Sequence, residues 1–255
     1  MFLNISRFAP YLIVLLFFSS SNAGIVDDVV PCVVFLMSDV EQGQETSFGS
    51  GFLIRKDNSS FIVTASHVAK GIGPNIKAIL PRKDGHADKA RFRNIKWIES
   101  QDADVAIGKI TLSDPAHVKL ILKRSLPISV LSARPLPPSR DITLTVIGYP
   151  LGLGSTGYIS PLSLETKAAS GFITFPRFDN GKNATFILLQ DPSIGGLSGA
   201  PVFDMGISSL SADGLTARKG VSVVGIIHGV ISDKTGGKFA AVVPSVDILK
   251  LFAYE

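Results

Sequence analysis

The 255-residue chain contains a single cysteine, Cys32, so no disulfide can form within it and the fold must hold together by packing. Cys32 lies in the apolar run Val29-Val30-Pro31-Cys32-Val33-Val34-Phe35-Leu36. No polar neighbour there would lower a thiol pKa, which points to a buried structural thiol rather than a nucleophile. Charge of one sign is also scarce. The 25 basic and 21 acidic residues leave +4, too little for a nucleic-acid partner. The stretch 82–96 is locally basic, but Asp84 and Asp88 interrupt it, as in a solvated loop or strand face. Long apolar runs are missing as well: Tyr11 to Phe18 is far shorter than the roughly 20 residues of a membrane span. Internal repeats and low-complexity tracts are absent.

That short run fits a different purpose. Arg7 supplies a positive start, the apolar stretch follows, and Ser21-Asn22-Ala23 offers small residues for a peptidase. Residues 1–23 therefore read as a signal peptide cut after Ala23. This implies an exported protein, periplasmic or secreted, with no stable membrane insertion once the leader is gone. The remaining chain of about 230 residues is enough for two small β domains. Short β-branched or aromatic runs divided by Gly, Pro, Asn or Asp recur from Val33 to Val243 without helical periodicity between them, which predicts an all-β barrel or sandwich. Arg134-Pro135-Leu136-Pro137-Pro138-Ser139-Arg140 lacks three donor N–H groups and reads as a linker between halves 24–133 and 141–255. After Pro244, Ser245 is placed to cap a short terminal helix docked on the second half.

The chemistry-bearing residues stand in three contexts: Thr64-Ala65-Ser66-His67, Asp104-Val105-Ala106-Ile107 and Gly196-Leu197-Ser198-Gly199-Ala200-Pro201. A hydroxyl, an imidazole and a carboxylate are the parts that let a weak nucleophile attack a carbonyl at neutral pH. Gly196 permits a turn that aims its own N–H and that of Ser198 at one spot, where a tetrahedral oxyanion would form. Each residue alone is ordinary in a turn or loop; the joint occurrence predicts acyl transfer. His86 and His117 read as surface residues.

With Gly49-Ser50-Gly51-Phe52-Leu53-Ile54, Gly148-Tyr149-Pro150-Leu151-Gly152-Leu153-Gly154, Ser170-Gly171-Phe172-Ile173 and Val223-Val224-Gly225-Ile226, these segments occur in an order that resembles the trypsin-like (chymotrypsin-fold) serine peptidases, particularly the bacterial HtrA-like group. The resemblance implies two six-stranded β-barrels with the reaction centre between them. It makes Ser198 the nucleophile, His67 the general base and then acid, and Asp104 the group that orients His67. Asp102 is a rival carboxylate, but Asp104 directly precedes the apolar strand, as the family pattern requires. The expected activity is an endopeptidase acting on proteins or peptides, without metal or organic cofactor. A non-catalytic peptide- or partner-binding protein on the same fold is the alternative.

Two departures from the family pattern matter. Leu197 stands where relatives carry Asn or Asp, which closes activation by a new N-terminal amine pairing with that acid. The run from the last expected strand to Glu255 is too short for the PDZ domain of typical HtrA proteins, so none is expected within these residues. The resemblance implies that Pro192, Ser193, Ile227, His228 and Gly229 line the substrate pocket, which predicts a small or medium aliphatic residue before the scissile bond. His228 either hydrogen-bonds Asp104 or turns into that pocket.

Overall fold

The computed structural model describes residues 25–39, 46–206, 210–211, 214–215 and 220–254; the expected leader and its cleavage site lie outside them. The β-branched and aromatic runs become strands: β1 (Val33–Ser38), β2 (Phe48–Lys56), β3 (Ser59–Thr64), β4 (Ile76–Pro81), β5 (Ala87–Phe92), β6 (Trp97–Glu99), β7 (Ala106–Lys109) and the short β8 (Leu126–Pro127). They form one sheet in the order β5-β4-β1-β2-β3-β7-β6, with β8 added beside β2. The second half supplies β9 (Leu144–Gly148), β10 (Leu162–Thr166), β11 (Ala168–Pro176), β12 (Asn183–Leu189) and β13 (Pro201–Asp204). A two-stranded ribbon, β14 (Leu210–Ser211) and β15 (Gly214–Leu215), precedes β16 (Ser222–Ser232) and β17 (Lys238–Pro244). The second sheet runs β10-β9-β13-β16-β17-β12-β11. The molecule is thus mostly β, in two main sheets as expected, but these hold eight and seven strands rather than six each, because the short β8 and β6 add to the first and the second takes in all of β9 to β13, β16 and β17.

Among the described residues, four α-helices accompany the sheets: α1 (Ile25–Val29), α2 (Ser66–Ile72), α3 (Pro115–Arg124) and α4 (Ser245–Phe252). None of the described helices is long and apolar enough to cross a membrane. The strand-dominated expectation overlooked α2 and α3. The signal for α3 was available, because Asp114 accepts from the Ala116 N–H and Pro115 takes the first helical position, a strong helix start. The terminal helix differs in detail from the expectation. Ser245 is not its cap; its hydroxyl donates instead to the Ser132 carbonyl at 2.7 Å. Nor does α4 belong to the second half alone. Phe252 meets Phe61 of β3 edge-on at 5.1 Å, and Lys56 Nζ donates to the Phe252 carbonyl.

One buried apolar cluster runs through both barrels, joining Phe52, Phe61 and Val105 to Phe203, Val243, Ile248 and Phe252. Cys32 belongs to it, and burial pushes its thiol well above the ordinary range. Residues 134–140 form neither helix nor strand. Just before them Leu131 bridges Val223, and the Ser132 N–H donates to the Val223 carbonyl. The halves are therefore packed as one body, with the start of α2, the turn before β7 and the loop before β13 meeting in the crevice between them.

Candidate active site

The first barrel supplies an imidazole and a carboxylate whose positions are fixed by backbone. His67 is the second residue of α2, so its N–H is one of the unpaired donors at a helix start. That N–H donates to Asp104 Oδ1 at 3.0 Å, while His67 Nδ1 lies 2.6 Å from Asp104 Oδ2. Asp104 sits in the bend before β7, fully buried, whereas its rival Asp102 is exposed and two residues away on the same bend. Ser66 Oγ donates to the Val105 carbonyl at 2.8 Å, tying α2 to the same bend.

Asp104 has a second imidazole. His228 Nδ1 approaches the same Oδ2 at 2.6 Å, and Arg177 Nη2 stands 3.5 Å from Oδ1. Because a carboxylate only accepts, both imidazoles present N–H at Nδ1, which leaves the lone pair of each on Nε2. Burial opposes ionisation of Asp104, but the hydrogen bonds from His228 and His67 and their charge outweigh it and hold the carboxyl well below the usual range. His228 is 1% exposed and its ring is sandwiched between Phe178 at 4.1 Å and Phe186 at 4.9 Å. Its side chain thus faces the carboxylate rather than solvent. Arg177, equally buried, is held by both oxygens of Asp179.

The three ligating groups His67, Asp104 and His228 are the described cluster that could be considered for a metal ion. Their geometry argues for hydrogen bonding. A nitrogen 2.6 Å from an oxygen is a charge-assisted hydrogen bond, whereas two ligands of a tetrahedral ion with bonds of about 2.0–2.2 Å stand about 3.3 Å apart.

The second barrel supplies Ser198 on the loop before β13. Gly196 has φ +93, and a Cβ there would lie 2.5 Å from the Tyr149 carbonyl, so both the turn and the space demand glycine. The Gly195 carbonyl accepts from the Leu151 N–H at 2.6 Å. In a trans peptide the N–H points opposite to the carbonyl, so this bond turns the Gly196 N–H away from Leu151 and toward the crevice. Among the described residues, neither that N–H nor the N–H of Ser198 has an acceptor. Leu197, 2% exposed, is buried in the second-barrel core with Val202 and Ile227, so apolar packing anchors the loop.

One residue overlooked in the sequence joins the halves. Ser50, fully buried on β2, donates its hydroxyl to the Gly196 carbonyl at 2.8 Å and accepts from the Tyr149 N–H at 2.9 Å. Its own N–H donates to the Ser198 carbonyl at 3.0 Å. The Gly49-Ser50-Gly51 triplet was visible, but nothing local linked it to a loop almost 150 residues away. Arg177 and Phe178 gave no signal at all. The Ser198 hydroxyl donates to the His228 carbonyl at 3.2 Å rather than to His67. Of the register-assigned pocket residues, Ile227 and Gly229 are buried, Ser193 is half-buried and Pro192 is exposed. His86 and His117 are exposed, away from this cluster.

A model of the trypsin-like peptidase domain matches residues 49–207, the span that holds Ser50, His67, Asp104 and Ser198. The chain belongs to the trypsin-like peptidase family. A comparison with curated proteins by sequence returns no match. Solved structures agree on the fold. The active form of the Rv3671c protease from M. tuberculosis is 20% identical, with TM-score 0.57 over 91% of this chain and 84% of that one. Its inactive form is 18% identical, with TM-score 0.56 over 91% and 90%. The HtrA-type protease AlgW with a tripeptide is 18% identical, with TM-score 0.57 over 90% of this chain and 62% of that one. This peptidase-family chain therefore carries its buried Asp104 and free loop N–H groups on a fold shared with proteases.

Proposed function

We propose that the protein is an exported serine endopeptidase that cleaves peptide bonds through an acyl-enzyme on Ser198. The observation that carries this reading is the pairing of an Asp104-bound His67, its Nε2 lone pair available, with a serine loop presenting two unpaired N–H donors. The leader-like residues 1–23 support export.

The chemistry follows from the positions. A substrate strand laid along β16 brings an N–H to the His228 carbonyl and takes the place of the Ser198 hydroxyl. The freed hydroxyl turns to His67 Nε2, which accepts its proton as Oγ attacks the scissile carbonyl. Asp104 stabilises the resulting imidazolium, and the Gly196 and Ser198 N–H groups receive the oxyanion, each worth about 10²–10³ in rate. His67 then gives the proton to the leaving amine, and water repeats the sequence on the acyl-enzyme.

The rival is a peptide-binding protein without catalysis, favoured by the Ser198 hydroxyl resting on the His228 carbonyl. A fluorophosphonate probe on the purified protein separates the two. Covalent labelling of wild type and none of Ser198→Ala is expected; a folded wild type that binds peptide but never labels would leave the binding reading standing.

A further inference from the structure

Phe178 is 59% exposed, yet its ring is held on two sides. It stacks on His228 at 4.1 Å and 27° and meets the His67 ring at 5.1 Å and 64°. The turn that carries it, between β11 and β12, is fixed from within. Arg177 is buried, its N–H donates to the Lys182 carbonyl, its carbonyl accepts from Gly181, and its guanidinium holds Asp179. A large apolar ring left open to solvent beside a reaction centre gains stability only when something covers it.

The strand geometry says what covers it. Residues 229–232 of β16 pair with β17 on one edge; on the other, β13 pairs only as far as Ile226, so the edge beyond is free among the described strands. An extended peptide whose N–H reaches the His228 carbonyl, running antiparallel to β16, sets its preceding residue opposite Gly229. Directly opposed residues of an antiparallel pair point to the same face. The Gly229 face is where Phe178 stands: a Cβ on Gly229 would lie 2.5 Å from its Cε1. The ring thus fills the place that a side chain at 229 would take, and with the His67 edge it forms an apolar wall.

We infer that Phe178 is a specificity residue, receiving an apolar side chain from the second substrate residue before the scissile bond. This rests on the peptidase reading above. The substrates it selects are extended segments with Leu, Val or a similar apolar residue at that position, and a charged residue there loses its hydration against the ring.

The test uses quenched peptides identical except at that position, bearing Leu, Val, Ser, Asp or Lys. Wild type should prefer Leu or Val over Asp by about tenfold or more in kcat/KM. Phe178→Ala should compress that ratio, with the loss on Leu carried by KM, and Phe178→Arg should shift preference toward Asp. A uniform fall in kcat across all peptides in both variants would overturn the inference, making Phe178 only a support for His67. Equal wild-type rates on all peptides would overturn it too. Fluorophosphonate labelling keeps the two failures apart: a protein that labels without this preference refutes the specificity role alone, and one that never labels refutes the peptidase reading with it.

Discussion

In the proposed site, the acid–base half and the nucleophile half are built by different means. In the first barrel, His67 and Asp104 are fixed by a helix start, a strand start and hydrogen bonds of 2.6 to 3.0 Å to a carboxylate with no exposure. In the second, the Ser198 loop borrows its shape from elsewhere: from Ser50 on the first barrel and from Leu151 on a neighbouring loop. Both halves need contacts distant in sequence, since His228 and Arg177 also reach Asp104, but His67 and Asp104 are seated at a helix start and a strand start, whereas the Ser198 loop is shaped by such contacts. Loss of a local hydrogen-bonded group should therefore disable chemistry outright, and loss of a distant support should misalign it.

The largest effect should come from the reacting groups. Ser198→Ala and His67→Ala should each lower kcat by about six orders of magnitude, and the double variant should lose little more, since such residues act as a unit. Additive losses in single-turnover assays would separate the two residues and break the comparison. Next comes Asp104→Asn, which keeps the shape but deprives both imidazoles of a charge partner. A fall of about 10³–10⁴ in kcat is expected. The same variant carries a stability signature. A carboxyl held below its unfolded pKa contributes stability above about pH 4, and that contribution is lost as pH falls through the depressed value. Between about pH 4 and pH 2 the wild-type unfolding free energy, measured by urea titration, should fall more steeply than that of Asp104→Asn.

Ser50→Ala sharpens the contrast because it touches no reacting atom. It removes a buried hydroxyl that serves both the Gly196 carbonyl and the Tyr149 N–H, at about 1–3 kcal/mol. Thermal unfolding should register that loss. Hydrolysis of a small ester should fall about 10- to 100-fold through misaligned oxyanion donors, within the range for losing one of them. An unchanged kcat would show that the loop holds its own shape. The smallest effect belongs to the N-terminus. With Leu197 buried among apolar side chains, no acid awaits a terminal amine, so extending the N-terminus by a few residues should leave turnover within about twofold. Silencing by the extension and recovery on trimming would place a switch in the nucleophile half.

The β character and the segments that carry His67, Asp104 and Ser198 were legible in the chain, because β-branched runs, glycine turns and reactive side chains declare themselves within a few residues. The helix bearing His67 was not. Its sequence Ser66-His67-Val68-Ala69-Lys70-Gly71-Ile72 is short, and tertiary packing of Val68, Ala69 and Ile72 supplies the stability that local propensity does not. The sequence also left His228 between two roles. Only folding decided that its imidazole shares Asp104 with His67, because the Phe178 and Phe186 rings that enclose it come from β12 and the turn before it, 40 to 50 residues earlier. Ser50, Arg177 and Phe178 belong to the same class. Hydrogen bonds and ring contacts over separations of 70 to 150 residues leave no local periodicity to read, and they exist only once the two barrels have closed on one another.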